Sequence, residues 1–247
     1  METVIYLTGD THGDFSRVQY FCRRMQTTRD DILIILGDAG INFGSESRAK
    51  RCRQSLADLP ITLFCIHGNH EYRPAGDPAY RLMPWHGGSV WVDEEFPFIC
   101  FAKDGDIYDL AGQKAIVLGG AYSVDKFYRL ANKYSWYDDE QPSDEIKAYA
   151  EKQLDAAGWK VDVVLSHTVP LKYEPTEVFM SYIDQIQVDK STEKWLDKIE
   201  ERLDYKAWYA GHYHTAKRID KLRIMFEDFD VLPGKDEYYY SGEKNGS

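Results

Sequence analysis

Six short apolar runs constrain this chain more than any other feature: "VIYL" (4–7), "ILIIL" (32–36), "ITLFCI" (61–66), "AIVLG" (115–119), "VDVVL" (161–165) and "AWYA" (207–210). Each is shorter than a typical helix and apolar almost throughout, rather than at alternate positions. That pattern belongs to strands covered on both faces. Helical patterns lie between some of them. In "DFSRVQYFCRRM", Phe15, Val18, Phe21, Cys22 and Met25 recur at helix spacing. "SDEIKAYAEKQLDAAG" opens on Ser143 and acids and stops at Gly158, and "STEKWLDKIEERLD" is amphipathic in the same way. Strands alternating with helices predict an α/β layered domain. Hairpin-like stretches around 88–101 and 220–232 predict mixed sheets. The expected organisation is a single domain over 1–235, with "YYYSGEKNGS" read as an adhering strand followed by a loose tail, 236–247.

Five of the six runs, all but "AIVLG", are followed by a turn that carries chemistry. "GDTHG" follows the first, with Asp10 and His12; "GDAG" follows the second, with Asp38; "HGNHE" follows the third, with Asn69 and His70. "SHT" with His167 follows "VDVVL", and "GHYH" with His212 and His214 follows "AWYA". Taken singly, a histidine at a strand end is an ordinary packing or hydrogen-bonding residue. Here six of the seven histidines, all but His86, sit at such ends. In open α/β sheets ligands bind beyond the carboxyl ends of the strands, so these groups should converge. Imidazole, carboxylate and amide oxygen without thiolate suit Mn²⁺, Fe or Zn²⁺. One carboxylate has lone pairs enough to bridge two cations, and the glycines let backbone pass close to ion and substrate. The four cysteines form no C-x-x-C pair and read as reduced core thiols.

In this order, "GDTHG", "GDAG", "GNHE", "SH" and "GHYH" resemble the motifs of the calcineurin-like metallophosphoesterases and span residues 9–214. The resemblance implies a four-layer α/β/β/α sandwich with mixed sheets and a two-metal centre at one edge. It implies that Asp10, His12 and His214 hold one metal, that Asn69, His167 and His212 hold the other, and that Asp38 bridges them. His70 takes the place of the family's non-ligand histidine, which stabilises the transition state or protonates the leaving group. The implied cofactors are two divalent ions, Mn²⁺ first, with Fe, Zn²⁺ or Ni²⁺ as alternatives. The implied activity is hydrolysis of a phosphate mono- or diester by a hydroxide held between the metals.

One motif departs from the family. Some branches read G-D-x-x-D-R-G in the second motif, where this chain has Ile41 and Asn42 in place of the Asp and Arg. The phosphate grip must then come from elsewhere, and Arg73, Lys126 and Arg129 are the candidates. The last two lie in 122–143, "YSVDKFYRLANKYSWYDDEQPS", an aromatic and basic stretch without clean period that is long for a connection and suits a binding loop. Its aromatics have three readings, stacking on a nucleobase of a nucleotide-like substrate, packing of a lid, or a dimer contact, and the last two are the commoner use of such residues.

The net charge is −11, from 30 basic and 41 acidic residues. That opposes binding of long nucleic acid, which needs a basic face. No run has the length of a membrane span and no basic-then-apolar leader opens the chain, so a cytoplasmic protein is expected. Two rivals to the enzyme remain: a phosphoesterase-like module that binds without catalysis, and a nuclease of the same superfamily.

Overall fold

The computed structural model describes residues 3–233. In chain order the elements are β1 (Ile5–Thr8), α1 (Ser16–Met25), β2 (Ile32–Ile35), α2 (Glu46–Leu56), β3 (Thr62–Cys65), β4 (Arg81–Trp85), β5 (Gly88–Val92), β6 (Ile99–Ala102), β7 (Ile107–Leu110), β8 (Gln113–Leu118), α3 (Lys126–Ala131), α4 (Asp144–Ala156), β9 (Val163–Ser166), α5 (Ser191–Glu200), β10 (Ala207–Ala210), β11 (Lys217–Ile219), β12 (Leu222–Ile224) and β13 (Phe229–Val231). All six apolar runs are strands. One sheet has the order β13-β1-β2-β3-β6-β5-β4, the other β11-β12-β10-β9-β8-β7. Both are mixed: β1, β2, β3 and β6 run parallel in the first, β12, β10, β9 and β8 in the second, and the remaining strands are antiparallel.

Why the runs are apolar without alternation is visible residue by residue. In β2, Ile32 and Ile34 point between the two sheets, where they join Ile5, Leu7, Val117, Leu165 and Tyr209. Leu33 and Ile35 point the other way, beneath Val18 and Cys22 of α1 and Leu56 of α2. In the second sheet, Val163 and Leu165 face inward, while Val164 and Trp208 pack under Leu154 of α4 and Leu196 of α5. Three apolar layers thus alternate with two sheets and two helical layers, the expected four-layer sandwich. Every residue of such a strand is buried, so each position must be apolar.

Local signals set the helix boundaries. Ser143 caps α4 by accepting from Ile146 N at 3.3 Å, with Asp144 and Glu145 in the first turn. Ser45 caps α2 in the same way through Arg48 N. The hairpin expected near 88–101 is present as β5–β6. The one expected over 220–232 is not: β12 pairs antiparallel with β11 before it, while β13 crosses to the other sheet and pairs with β1. The 122–143 stretch holds one short helix, α3. The expected C-terminal strand and tail lie outside the described residues. Among the described residues no helix is long and apolar enough to cross a membrane.

Candidate metal centre

The parallel strands β1, β2 and β3 of one sheet and β9 and β10 of the other end side by side, and their next residues meet in one cluster. His12 Nε2 lies 2.8 Å from His214 Nε2. Asp10 Oδ2 lies 3.3 Å from His214 Nε2 and 3.6 Å from His12 Nε2. Asp10 is buried, and among the described residues this oxygen has no well-aligned hydrogen bond beyond the His214 contact. Three unshared donor atoms this far apart leave a point about 2.1 Å from each, the reach of a divalent cation to nitrogen and oxygen ligands.

A second group adjoins the first. His167 Nε2 faces Asn69 Oδ1 at 2.8 Å and Asp38 Oδ1 at 3.8 Å. Its other nitrogen, Nδ1, lies 2.8 Å from the Leu36 carbonyl, which can only accept. That fixes the tautomer of a neutral ring: Nδ1 carries the hydrogen and Nε2 presents a lone pair. Asn69 is oriented too, because its Nδ2 donates to Ser123 Oγ at 2.9 Å and turns Oδ1 inward. Two lone-pair atoms therefore face each other, the arrangement of two ligands around one cation, with the carbonyl bond that commonly orients a metal-bound histidine. Asp38 stands between the groups, 3.9 Å from His12 Nδ1 and 4.0 Å from His70 Nε2. The His212 ring packs edge-on against His167 with centroids 4.9 Å apart, and the His212 backbone N–H donates to Asp10 Oδ1 at 2.9 Å.

The backbone is bent to make this possible. His12, Asp38, His212 and His214 have φ of 48°, 49°, 70° and 49°. The left-handed region is disfavoured for residues with a side chain, although Asp and His tolerate it best, and such strain clusters at functional sites. Gly68 passes directly over Asp38, and Gly211 over Asp10 and the Leu36 carbonyl; a Cβ at either would overlap those atoms. Electrostatics follow the crowding. Burial works to raise the Asp10 pKa, yet the His214 hydrogen bond, His167, His12 and the His212 N–H hold it below the ordinary carboxylate range. The hydrogen bond to Asp10 raises His214, while burial pushes His212 well down and lowers His70. Asp10 draws positive charge to this spot.

A sequence model of the calcineurin-like phosphoesterases matches residues 3–216. The chain belongs to that family. Among solved structures it is similar to TT1561 of Thermus thermophilus, at 12% identity and TM-score 0.51, over 94% of this chain and 99% of that one. It is also similar to the phosphopantetheinyl hydrolase PptH from Mycobacterium tuberculosis, at 14% identity and TM-score 0.47, over 91% and 88%. At such identity the first likeness speaks for the fold alone. No curated protein matches the chain.

Around this calcineurin-like centre the departing motif has a structural role. Ile41 is core, and Asn42 is buried with Oδ1 accepting from Tyr80 Oη at 2.6 Å, so neither reaches the cluster. Of the candidate grips, only Arg129 lines the cavity that opens on the cluster, and it is paired with Asp125 at 2.7 Å. Lys126 lies over the Trp136 ring at 4.2 Å. Arg73 is paired with Asp104 and bonded to the Asp139 carbonyl at 3.0 Å, and it lines a second, smaller cavity instead. Glu71 steadies the loop: Oε1 accepts from Gly68 N at 3.1 Å, and burial, reinforced by Asp38, raises its pKa to about 8.

Three contributors escaped the sequence reading. Arg17 of α1 donates to the carbonyls of Gly9 and Asp10 at 2.9 and 2.7 Å and so clamps the first turn. Ser123 orients Asn69. Arg48, two residues into α2, lines the cavity from its exposed helix end. None belongs to a motif, because each acts through position rather than through a spacing.

Proposed function

We propose that this chain is a two-metal phosphoesterase acting on a small phosphate mono- or diester in the cytoplasm. Membership of the family supports metal-dependent phosphoester hydrolysis in general. The observation that carries the finer reading is the pair of close contacts between groups able to ligate a cation, His12 Nε2 with His214 Nε2 and His167 Nε2 with Asn69 Oδ1, joined by Asp10 and Asp38. In this reading Asp10, His12 and His214 hold one cation, Asn69, His167 and His212 the other, and Asp38 both. Mn²⁺ is the favoured ion, with Fe, Zn²⁺ or Ni²⁺ possible for the same nitrogen and oxygen set. When bound, two such ions lower the pKa of a shared water and polarise phosphoryl oxygens.

The chain's own residues do the rest. Asp38 fixes His70 by accepting from its backbone N–H at 2.8 Å, which sets the ring on the wall of the cavity beside the cluster. From there the ring donates a hydrogen bond or proton to the departing oxygen. Arg48 offers its guanidinium to non-bridging oxygens in place of the absent motif arginine, and Arg129, held by Asp125, adds positive charge to the same wall. Phosphoryl transfer asks mainly for such positioning and charge compensation.

The test is Mn²⁺-dependent hydrolysis of p-nitrophenyl phosphate beside bis-p-nitrophenyl phosphate, with Asp38→Ala as control. Turnover in the wild type that disappears in the variant is expected. A protein that binds two cations per chain yet hydrolyses neither ester with Mn²⁺, Fe²⁺, Ni²⁺ or Zn²⁺ would refute the reading.

A further inference from the structure

The cavity that opens on the cluster holds about 760 Å³, far more than a phosphate group needs. One part of its wall is His12, Asp38, Asn69, His70, His212 and His214. Another comes from the irregular segment between β9 and α5, which contributes Val178, Phe179, Met180, Ile183 and Val188. None of these five belongs to the three apolar cores. Burial in the fold therefore does not explain them, and what they share is the cavity.

The charges lining the cavity are few and mostly matched. Arg129 is paired with Asp125 at 2.7 Å, and Glu174 with Lys190 at 2.6 Å. Glu193 is buried, with Oε1 accepting from Thr168 Oγ1 at 2.8 Å. Arg48 has no carboxylate within ion-pair distance among the described residues; its guanidinium lies 4.5 Å from the Phe43 ring centre. Outside the metal cluster the cavity thus offers one uncommitted cation. A substrate with several phosphates would bring charge against apolar side chains and buried acids, where an unpaired charge is costly.

We infer that the substrate of this site carries a single phosphoryl group joined to an uncharged, mainly apolar alcohol. Its phosphate lies between the cluster and Arg48, and its organic part lies against Val178, Phe179, Met180, Ile183 and Val188. The inference rests on the phosphoesterase reading and narrows it. It favours a hydrocarbon or aryl arm over the nucleotide that the tyrosines of 122–143 suggest, because the cavity takes only Tyr122 from that stretch's rings.

Titration calorimetry on the Mn²⁺-loaded protein tests it with phosphonates, whose P–C bond is not hydrolysed. The series is ethyl, butyl, hexyl and octyl phosphonate, with dihydroxypropyl phosphonate and adenosine 5′-monophosphate as polar comparisons. Each methylene buried should tighten binding by up to about fourfold until the cavity is full. Octyl phosphonate should bind more tightly than either polar comparison. Ile183→Asp, and separately Val188→Asp, should flatten the chain-length series. Affinity independent of chain length, or tighter binding of either polar ligand than of octyl phosphonate, would overturn the inference. The matching alkyl phosphates, whose leaving alcohols have similar basicity, are then assayed for turnover. Hydrolysis without chain-length dependence would leave the phosphoesterase reading intact and remove the apolar substrate. Chain-length-dependent binding with no hydrolysis of any ester would do the reverse.

Discussion

The turns that follow β1, β2, β3, β9 and β10 and the segment from 171 to 190 both line the same cavity, yet they are built in opposite ways. Asp10, Asp38 and His167 are buried and hydrogen-bonded to backbone groups of other strand-end turns, Asn69 is buried and bonded to Ser123 Oγ, and Asp38 is held at a left-handed φ. Strain of order 1–3 kcal/mol per such residue persists only where packing over-determines the backbone. The 171–190 segment has two single 3₁₀ turns, Leu171–Tyr173 and Thr176–Val178, and shows large apolar side chains to solvent, Ile186 at 94% exposure. Chemistry that needs sub-ångström placement sits on the ends of rigid strands. Selection by apolar contact tolerates, and is given, an irregular wall.

The comparison breaks most visibly in activity. Asp38→Ala removes the carboxylate shared by both groups, and hydrolysis of p-nitrophenyl phosphate should fall by about 10³-fold or more, since losing one preorganised group of this kind costs about 10²–10³-fold. His70→Ala should lower turnover by about 10²–10⁴-fold, the usual worth of general-acid help. In contrast, Ile183→Asp should act on binding: it should raise KM for p-nitrophenyl phosphate, whose ring meets the same wall, far more than it lowers kcat, and should alter the preference among alkyl esters. Steady-state kinetics on the three variants separates these outcomes.

Stability should divide along the same line. Ile34→Ala opens a void between the sheets and should cost about 2–5 kcal/mol in urea unfolding. Ile186→Ala, at an exposed position of the 171–190 segment, should change stability by no more than about 0.5 kcal/mol. A pH-dependent effect is expected from Glu193, which joins the two regions through Thr168 beside His167. Burial raises its pKa to about 7 from an ordinary 4.5. Its protonated form is thus favoured in the folded state. The contribution is complete below pH 4.5 and is lost as pH rises through about 7, by up to roughly 3 kcal/mol. Glu193→Gln should remove that slope from a plot of unfolding free energy against pH, whereas an unchanged slope would assign it elsewhere.

The same contrast explains what the sequence disclosed. The strands were legible because burial on both faces leaves no polar position in "ILIIL" or "AWYA", and the candidate ligands were legible because they follow such runs, most of them beside a glycine. Helix α2 was hidden by its own core face. Its buried positions are Ala49, Arg53 and Leu56, and a guanidinium at the centre, bonded to Tyr80 Oη at 2.7 Å and Glu46 at 2.7 Å, erases the apolar period. The 171–190 wall was illegible for a different reason. Its apolar residues answer to a cavity rather than to a sheet or helix, so they follow neither a period of 2 nor one of 3.6. The 122–143 stretch was noticed for its aromatics, but what it gives the cavity is Tyr122, Val124, Asp125 and Arg129, while Lys126 stacks on Trp136. Arg73 follows "GNHE" so closely in sequence that it suggested a grip, yet the chain turns there and buries it against Asp104.

The most direct measurement is metal content by mass spectrometry together with turnover, on wild type, His70→Ala and Asp38→Ala after loading with Mn²⁺. The account predicts two ions per chain in wild type and in His70→Ala, turnover lost in both variants, and fewer ions retained by Asp38→Ala. Two ions retained by Asp38→Ala with turnover intact, or no more than one ion in an active wild type, would contradict it.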